Sequence, residues 1–179
     1  MVERSDARRN RERLLEAATA AFTAHGASVS LESIARDAGV GIGTLYRHFP
    51  NREALVEAIF RAELAEVAAA AGRLLQRHPP KIALRRWMDR YASFVAAKRG
   101  MAESLQAIFA SGAMEVSQTR DSIVGAVEML LRAGADDASL RADVPADDVV
   151  SSLNGIFLVS GSPEQTGRML DLLVAGVSA

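Results

Sequence analysis

The sequence predicts an all-α fold of about nine helices. Alanine and leucine dominate a chain that is 49% hydrophobic and only 5% aromatic, and this composition favours helix. Apolar residues recur at spacings of three and four along most of the chain, and no alternating run has the length of a strand. Glycine, proline and N-capping residues divide this pattern into segments of helical length.

The first three predicted helices form an N-terminal domain of residues 1–50. The first helix covers about residues 7–25, behind an arginine-bearing arm that is either a mobile tail or a frayed helix start. The next two helices form a helix-turn-helix within residues 31–49. Ser30 is the expected N-cap of the first of these, because its hydroxyl can accept an amide proton. Gly39 is expected to end that helix, because the chain needs a left-handed residue there.

The second helix of this corner, about residues 41–49, carries hydrogen-bond donors on its outer face. Leu45 and Phe49 lie four residues apart on the inner face. Hydroxyl, imidazole and guanidinium groups can donate to phosphate oxygens, and arginine can also read a guanine edge. This pattern predicts DNA binding, although a helix-turn-helix can also be a structural corner of an all-α domain. The outward donors are Thr44, Tyr46, Arg47 and His48.

The remaining helices form a predicted second domain of residues 51–179. Asn51 should cap its first helix, and Ser162 and Gln165 should start its last helix with a capping box. The polar loop of residues 135–145 is expected to be the part most prone to disorder. The other helix boundaries are set by Pro79-Pro80, Gly100, Ala113, Gly134 and Ala146.

The middle helices of this second domain carry large apolar side chains that are candidates for lining a ligand cavity. Methionine side chains adapt to irregular shapes, as a binding cavity requires. The same residues can also simply fill a core, and this alternative stays open. The candidates are Trp87, Met88, Tyr91, Phe94, Met101, Leu105, Ile108, Phe109 and Met129.

The last two predicted helices have more apolar surface than a single helical face requires. They are either buried centrally in a monomer or paired with their copies as a four-helix bundle. Gly155, Ser160 and Gly161 would permit a close approach of helices. We favour the homodimer, because two recognition helices about 34–36 Å apart can read both half-sites of a palindrome.

Sequence signals of catalysis are missing. The sequence has no glycine-rich phosphate loop, no nucleophile elbow and no cysteine, and its three histidines lie at helix ends or turns. No spacing of histidines and acids suits a metal. We therefore predict that the protein is not an enzyme and has no catalytic residue, metal or cofactor. A secretion signal and a membrane span are also missing from the sequence, which predicts a cytoplasmic protein.

The stretch of residues 31–55 resembles the DNA-binding domain of TetR-family transcriptional regulators. The resemblance covers about residues 11–60 and is specific in motif, whereas later residues resemble the family only in helical layout. It implies that Thr44, Tyr46 and His48 contact the DNA backbone, with Tyr46 also close to bases. The motif residues are Gly39-Val40, Gly43-Thr44-Leu45-Tyr46-Arg47-His48-Phe49 and Asn51-Arg52-Glu53-Ala54-Leu55.

The resemblance also assigns further roles at the DNA. Arg52 matches a basic position that holds a phosphate. Ile42, Gly43 and Arg47 match positions where family members differ and where operator choice is made. Since Gly43 has no side chain, Ile42 and Arg47 should carry more of this choice, with Ile42 on a thymine methyl. Arg36 on the preceding helix can also reach the groove or a phosphate.

The function implied by the resemblance is that of a ligand-responsive transcriptional regulator. It would bind a palindromic operator in double-stranded DNA as a homodimer and be released by a small-molecule effector among the middle helices. Repression is the usual mode of the family, and activation stays open. A helical adaptor with a purely structural helix-turn-helix is the competing class of protein.

Overall fold

The computed structural model describes residues 2–98, 101–112 and 114–179. In this part of the chain it has nine α-helices, one short 3₁₀ helix at Gly26–Ser28 and no strand, which confirms the predicted fold class. The predicted boundaries at Gly100 and Ala113 lie outside the described residues. The α-helices are α1 Val2–His25, α2 Leu31–Asp37, α3 Ile42–His48, α4 Arg52–Leu75, α5 Pro80–Lys98, α6 Ala102–Ala110, α7 Val116–Asp136, α8 Ala146–Val159 and α9 Pro163–Gly176.

The helices belong to two compact units. The first unit contains Met1–Ala62 and Ala97–Glu115, and the second contains Glu63–Ala96 and Val116–Ala179. The first unit therefore holds α1 to α3, the start of α4, and α6. Within the described residues, no helix combines the length and the apolar character needed to cross a bilayer.

In the first unit, α1 packs against both α2 and α3. The helix α1 begins at Val2, so the arm that was expected to be mobile or frayed continues the helix. Ion pairs of Arg8 with Glu12 and of Arg9 with Asp6 lie at helical spacing and support this extension. The buried apolar residues of this unit include Leu14, Ala18, Phe22, Ile34, Ala35, Leu45, Phe49, Leu55, Val56 and Ile59.

The helix α6 contributes to the same unit through contacts with α4. The rings of Phe60 and Phe109 meet edge to face, with their centroids 5.9 Å apart. The ammonium of Lys98 lies 4.9 Å from the centroid of the Phe60 ring, which is a cation–π contact. The ring contact places α6 beside α4, and the contact of Lys98 joins the end of α5 to the same phenylalanine.

The core of the second unit is built from α4, α5, α7, α8 and α9. Trp87 is fully buried, and its indole N–H donates to the carbonyl oxygen of Val67 at 2.9 Å. The Tyr91 ring stacks on the Trp87 ring, with 5.4 Å between centroids, and meets the Phe157 ring edge to face. Aromatic and aliphatic side chains thus fill this core, with the indole N–H satisfied by the backbone.

The predicted end of α7 at Gly134 is wrong, because the helix continues to Asp136. The left-handed residue that ends it is Ala138, with φ 58°. The amides of Ser139 and Leu140 both donate to the Gly134 carbonyl oxygen, at 2.8 and 2.9 Å. A Cβ at Gly134 would lie 2.3 Å from Cδ1 of Leu140. Glycine is needed at this position for close packing and not for a turn.

The loop that was expected to be prone to disorder is anchored at Leu140. This side chain is only 2% exposed, because it packs into the core of the second unit. The amide of Arg141 donates to the carbonyl oxygen of Val177 at 2.9 Å, and the amide of Ala179 donates to that of Ser139 at 3.4 Å. The loop is therefore held by both side-chain and backbone contacts.

The start of α9 confirms the predicted cap and corrects one detail. The amide of Gln165 donates to the Ser162 hydroxyl at 3.2 Å, as an N-cap requires. The Gln165 side-chain oxygen accepts from the amide of Gly161 at 2.9 Å, whereas a capping box would use the amide of Ser162. The reciprocal bond is thus displaced by one residue toward the N-terminus.

Candidate nucleic-acid interface

The helices α2 and α3 form the predicted corner, and its local signals are confirmed. The hydroxyl of Ser30 accepts a hydrogen bond from the Ser33 amide at 3.1 Å, which caps α2. Gly39 has φ +65°, the left-handed conformation expected of it. The amide of Val40 donates to the Ala35 carbonyl oxygen at 2.9 Å and ties the turn back to α2.

Two arginines of α1, which the sequence reasoning missed, hold this corner. The Arg13 guanidinium donates from Nε to the Ala38 carbonyl oxygen at 2.9 Å and from Nη2 to the Gly39 carbonyl oxygen at 2.9 Å. The Arg11 guanidinium lies over the Phe49 ring, 5.3 Å from its centroid. No local sequence signal predicts these contacts, because their partners lie far along the chain.

The outer face of α3 presents the predicted DNA-binding side chains. The side chains of Ile42 and Tyr46 are large, yet these residues are 38% and 45% exposed. Arg47 is also exposed, and Thr44 and His48 are half-buried. On the opposite face, Leu45 is completely buried. The helix therefore turns its donors outward while one leucine anchors it to the core.

The start of α3 is free of side-chain bulk at Gly43. A Cβ built at Gly43 would meet no atom within 4 Å. A surface without side-chain bulk can approach another molecule closely. From residue 38 to residue 52 the chain has two arginines, one histidine and no acidic residue. The turn and α3 therefore carry basic side chains without acids, in a chain whose net charge is −1.

The two predicted arginines outside α3 have different surroundings. The Arg36 side chain is 80% exposed, and its Nε lies 3.9 Å from a carboxylate oxygen of Asp37. The Arg52 guanidinium lies over the Phe22 ring, 4.7 Å from its centroid, and donates to the Val29 carbonyl oxygen. Arg52 thus ties the start of α4 to α1 and to the connection before α2. Its phosphate contact stays a prediction.

The Asn51 cap on α4 is confirmed, because the Asn51 side-chain oxygen accepts the amide proton of Ala54 at 2.8 Å. This cap follows directly on the corner. It fixes where α4 begins and therefore where Arg52 stands. A satisfied amide in the first turn also stabilises the helix start.

The predicted ligand-cavity residues are divided between the two units. Trp87 and Met88 are fully buried, whereas Met129 is 50% exposed. The Tyr91 hydroxyl donates to the Asn154 side-chain oxygen at 3.1 Å. Burial raises the pKa of Tyr91, and the nearby charge of Arg120 opposes this shift. The second unit also holds Phe94, and the first unit holds Met101, Leu105, Ile108 and Phe109.

Six of the nine candidates are buried as in a packed core, whereas Phe94 and Phe109 are half-buried and Met129 is exposed. The cavity stays a prediction. In the described ranges, no group of three histidines and acids is placed to hold a metal ion.

A buried corner that exposes a donor-bearing second helix is the arrangement found in helix-turn-helix DNA-binding proteins. Comparison with known families agrees with this class. Residues 14–59 match the bacterial regulatory proteins of the tetR family, and residues 79–179 match the C-terminal domain of SbtR-like transcriptional regulators. The chain belongs to the TetR family of transcriptional regulators. The family consists of DNA-binding regulators and not of enzymes, as predicted.

Individual relatives extend this result to the whole chain. A TetR transcriptional regulator from Streptomyces coelicolor has a crystal structure with a TM-score of 0.83 and 42% identity, covering 94% of this chain and 98% of that one. A TetR regulator from Mycobacterium vanbaalenii gives a TM-score of 0.78 at 29% identity, covering 98% and 99%.

Curated relatives match over a shorter stretch. An HTH-type transcriptional regulator from Staphylococcus aureus is 39% identical over 62 residues, which are 34% of this chain and 34% of that protein. The match to these curated relatives therefore spans about a third of their length. Similarity beyond the DNA-binding helices therefore comes from the crystal structures and from the family match over residues 79–179.

Proposed function

We propose that this regulator is a repressor that binds a palindromic operator as a homodimer, in the cytoplasm, and leaves it when a small-molecule effector binds. DNA binding is assigned to residues 1–50, and effector binding and dimerisation to residues 51–179. The observation that carries the proposal is the outer face of α3, where Ile42, Tyr46 and Arg47 are exposed above a buried Leu45.

In this proposal, the DNA backbone is held by residues on three helices. Thr44, Tyr46 and His48 donate to phosphates from α3, and Arg36 reaches the groove edge or a phosphate from α2. Arg52 donates to a phosphate from the start of α4. Its guanidinium has five N–H donors, so a bond to a backbone carbonyl leaves donors for this contact.

Operator choice is assigned to Ile42 in the first turn of α3 and to Arg47 in its last turn. Arg47 can form a bidentate pair with guanine, and the apolar Ile42 side chain can pack on a thymine methyl. The open space at Gly43 permits close approach of the helix to the base edges. Base reading thus depends on one cation and one apolar side chain.

The test of this assignment is a titration of Arg47→Ala and Tyr46→Ala proteins against an operator selected from random duplex DNA. Each loss should cost about 1–3 kcal/mol of binding free energy. Arg132→Ala is the matched control, because Arg132 is exposed on α7 in the second unit. Operator affinity that is unchanged in both α3 variants would rule out α3 as the reading helix.

The homodimer is proposed to form through α8 and α9. Among the described residues seven large apolar side chains are exposed, and three of them lie on these helices. Leu158 is 86% exposed, Val159 64% and Leu172 72%. Apolar surface of this kind marks an interaction site, and pairing with a second copy gives the four-helix arrangement of a two-fold dimer.

Sedimentation of a Leu158→Glu/Leu172→Glu protein tests this interface. We expect a monomer, because four carboxylates per dimer cannot be buried without partners. Ile82→Glu is the control, since Ile82 is 48% exposed on α5 and lies outside α8 and α9. A double variant that sediments as a dimer would contradict the proposed interface.

The effector is proposed to act through α6. This helix belongs to the same compact unit as α1 to α3, and four of the predicted ligand-contacting residues lie in or next to it. An effector changes DNA affinity only by its differential affinity for the two states of the protein. Compounds that raise the melting temperature should therefore be tested for operator release. Binding without any change in operator affinity would contradict this role.

A further inference from the structure

We propose that Arg13 is a positioning residue for operator recognition, acting through the backbone of the α2–α3 turn. The inference rests on the proposed function, because it assumes that α3 reads the operator. Arg13 donates to the carbonyl oxygens of Ala38, the C-cap of α2, and of Gly39, the next residue of the turn into α3. One side chain of α1 thus holds the backbone where the corner changes direction.

The chemistry of this contact suits a guanidinium better than an ammonium. The carbonyl oxygens at the C-terminal end of a helix carry partial negative charge and lack helical partners. Arginine offers several N–H donors in a rigid planar fork, whereas lysine presents a single charged point. With one fork Arg13 satisfies two successive carbonyls, and it therefore fixes both the position and the direction of the turn.

The glycine of the turn fits this guanidinium. A Cβ at Gly39 would lie 2.7 Å from Nη2 of Arg13, so the missing side chain leaves the space that the guanidinium occupies. The neighbouring Leu14 is completely buried and anchors α1 to the core. The contact is therefore held at both ends, by packing at Leu14 and by backbone geometry at Gly39.

Displacement of the turn is transmitted directly to α3. Gly41 is the N-cap of α3, and its carbonyl oxygen accepts the amide proton of Thr44 at 2.8 Å. Only Val40 separates Gly39 from this cap, so a shift of Gly39 moves the first turn of α3. Because Ile42 lies in that turn, loss of Arg13 should weaken base reading more than general attraction to DNA.

The experiment compares Arg13→Met and Arg13→Lys with the unaltered protein and with Arg8→Met. Arg8 lies on the same helix, and its side chain is 77% exposed beside Glu12. For each protein, affinity is measured for the selected operator and for a random duplex of equal length at several salt concentrations. Circular dichroism melting establishes that each variant is folded at the assay temperature.

We expect Arg13→Met to lower operator affinity about tenfold, a change comparable in free energy to one hydrogen bond to a charged group. The affinity for the random duplex should be nearly unchanged. Arg13→Lys should restore part of the difference, and Arg8→Met should match the unaltered protein. The dependence of operator affinity on salt should keep its slope. If Arg13→Met does not fold, the affinities for the operator and for the random duplex are compared in the Arg13→Lys protein alone.

Three results would overturn the inference. Equal losses on operator and random duplex would show a merely structural role. A salt slope reduced by about 0.9 in Arg13→Met would show a direct phosphate contact. Affinities of Arg13→Met that are unchanged for both duplexes would show that Arg13 does not position α3. If the unaltered protein itself prefers no sequence, the proposed function fails and this inference fails with it.

Discussion

The α2–α3 corner and the core of the second unit both depend on buried apolar side chains, but they place different demands on sequence. The corner requires particular backbone conformations, such as φ +65° at Gly39 and the capped amide at Ser33. The core around Trp87 requires volume and one backbone acceptor, the Val67 carbonyl. Residues with backbone roles are few in type, whereas many apolar residues can fill a core. The corner therefore carries a short local motif, whereas the second unit carries no such motif.

Replacing Trp87 in the second unit should give the largest change. Trp87→Ala removes a fully buried side chain and leaves the Val67 carbonyl without its donor, so we expect a loss of about 3–5 kcal/mol in the free energy of unfolding. Denaturant titration measures this loss. Trp87→Phe, which keeps most of the volume, should lose clearly less. Equal losses in both variants would contradict the view that this core mainly requires volume.

A pair of glycines in α7 tests where the second unit does have a backbone constraint. Gly134→Ala would place a Cβ 2.3 Å from Cδ1 of Leu140, and we expect overpacking to cost about 1–3 kcal/mol. Gly125→Ala in the same helix meets nothing within 4 Å and should stabilise the protein by roughly 0.5–1 kcal/mol. Thermal unfolding of both proteins gives the comparison. Similar melting temperatures would contradict the packing role of Gly134.

A second pair of glycines tests the corner itself. Gly39→Ala forces a side chain into the left-handed region and toward Arg13, so we expect a loss of about 1–2 kcal/mol in folding stability. Gly43→Ala places the same methyl group in open space on α3 and should raise stability by up to about 1 kcal/mol. Chemical denaturation distinguishes the two variants. If Gly39→Ala were stabilised, the corner would not depend on the left-handed conformation at this residue. The contrast with the core of the second unit, which mainly requires volume, would then be wrong.

The smallest expected effect concerns an exposed ion pair of the second unit. The hydrogen bond from Arg120 lowers the pKa of Asp147 below its ordinary value of 3.8. The pair therefore stabilises the fold above that pH, and this contribution is lost as the pH falls toward the lowered value. Melting temperatures of the unaltered protein and Asp147→Asn should differ slightly at neutral pH and converge in acid.

The control for this variant is Asp148→Asn. Asp148 shares the first turn of α8 with Asp147, so both acids interact with the helix dipole. The hydrogen bond from Arg120 goes to Asp147. If Asp148→Asn changes the melting temperature as much as Asp147→Asn does, with the same pH dependence, the effect comes from the helix dipole and not from Arg120.

Local signals made the helices and the corner predictable. Ser30, Gly39, Asn51 and Ser162 have backbone roles that their residue types indicate without knowledge of any distant partner. The inward position of Leu45 follows equally from helical periodicity. These features lie within one or two turns of chain, which is the range that sequence patterns can describe.

The remaining features depend on contacts between distant segments. Arg13 is 25 and 26 residues from the two carbonyls that it binds, and Arg52 is 23 residues from its own, so nothing local indicates these bonds. The residue type of Gly134 predicts a helix end, because glycine serves equally in turns and in close packing. Only the position of the Leu140 side chain distinguishes the two uses. The sequence therefore predicted the elements better than the side chains that join them.

The buried Trp87 also gives the protein an internal spectroscopic reporter. It is the only tryptophan in the sequence, it is fully buried, and it lies in the second unit. Its fluorescence emission should be that of an indole shielded from water and should shift to longer wavelength when this core opens. Because the first unit has no tryptophan, an emission change on addition of operator would record communication from the DNA-binding helices to the second unit.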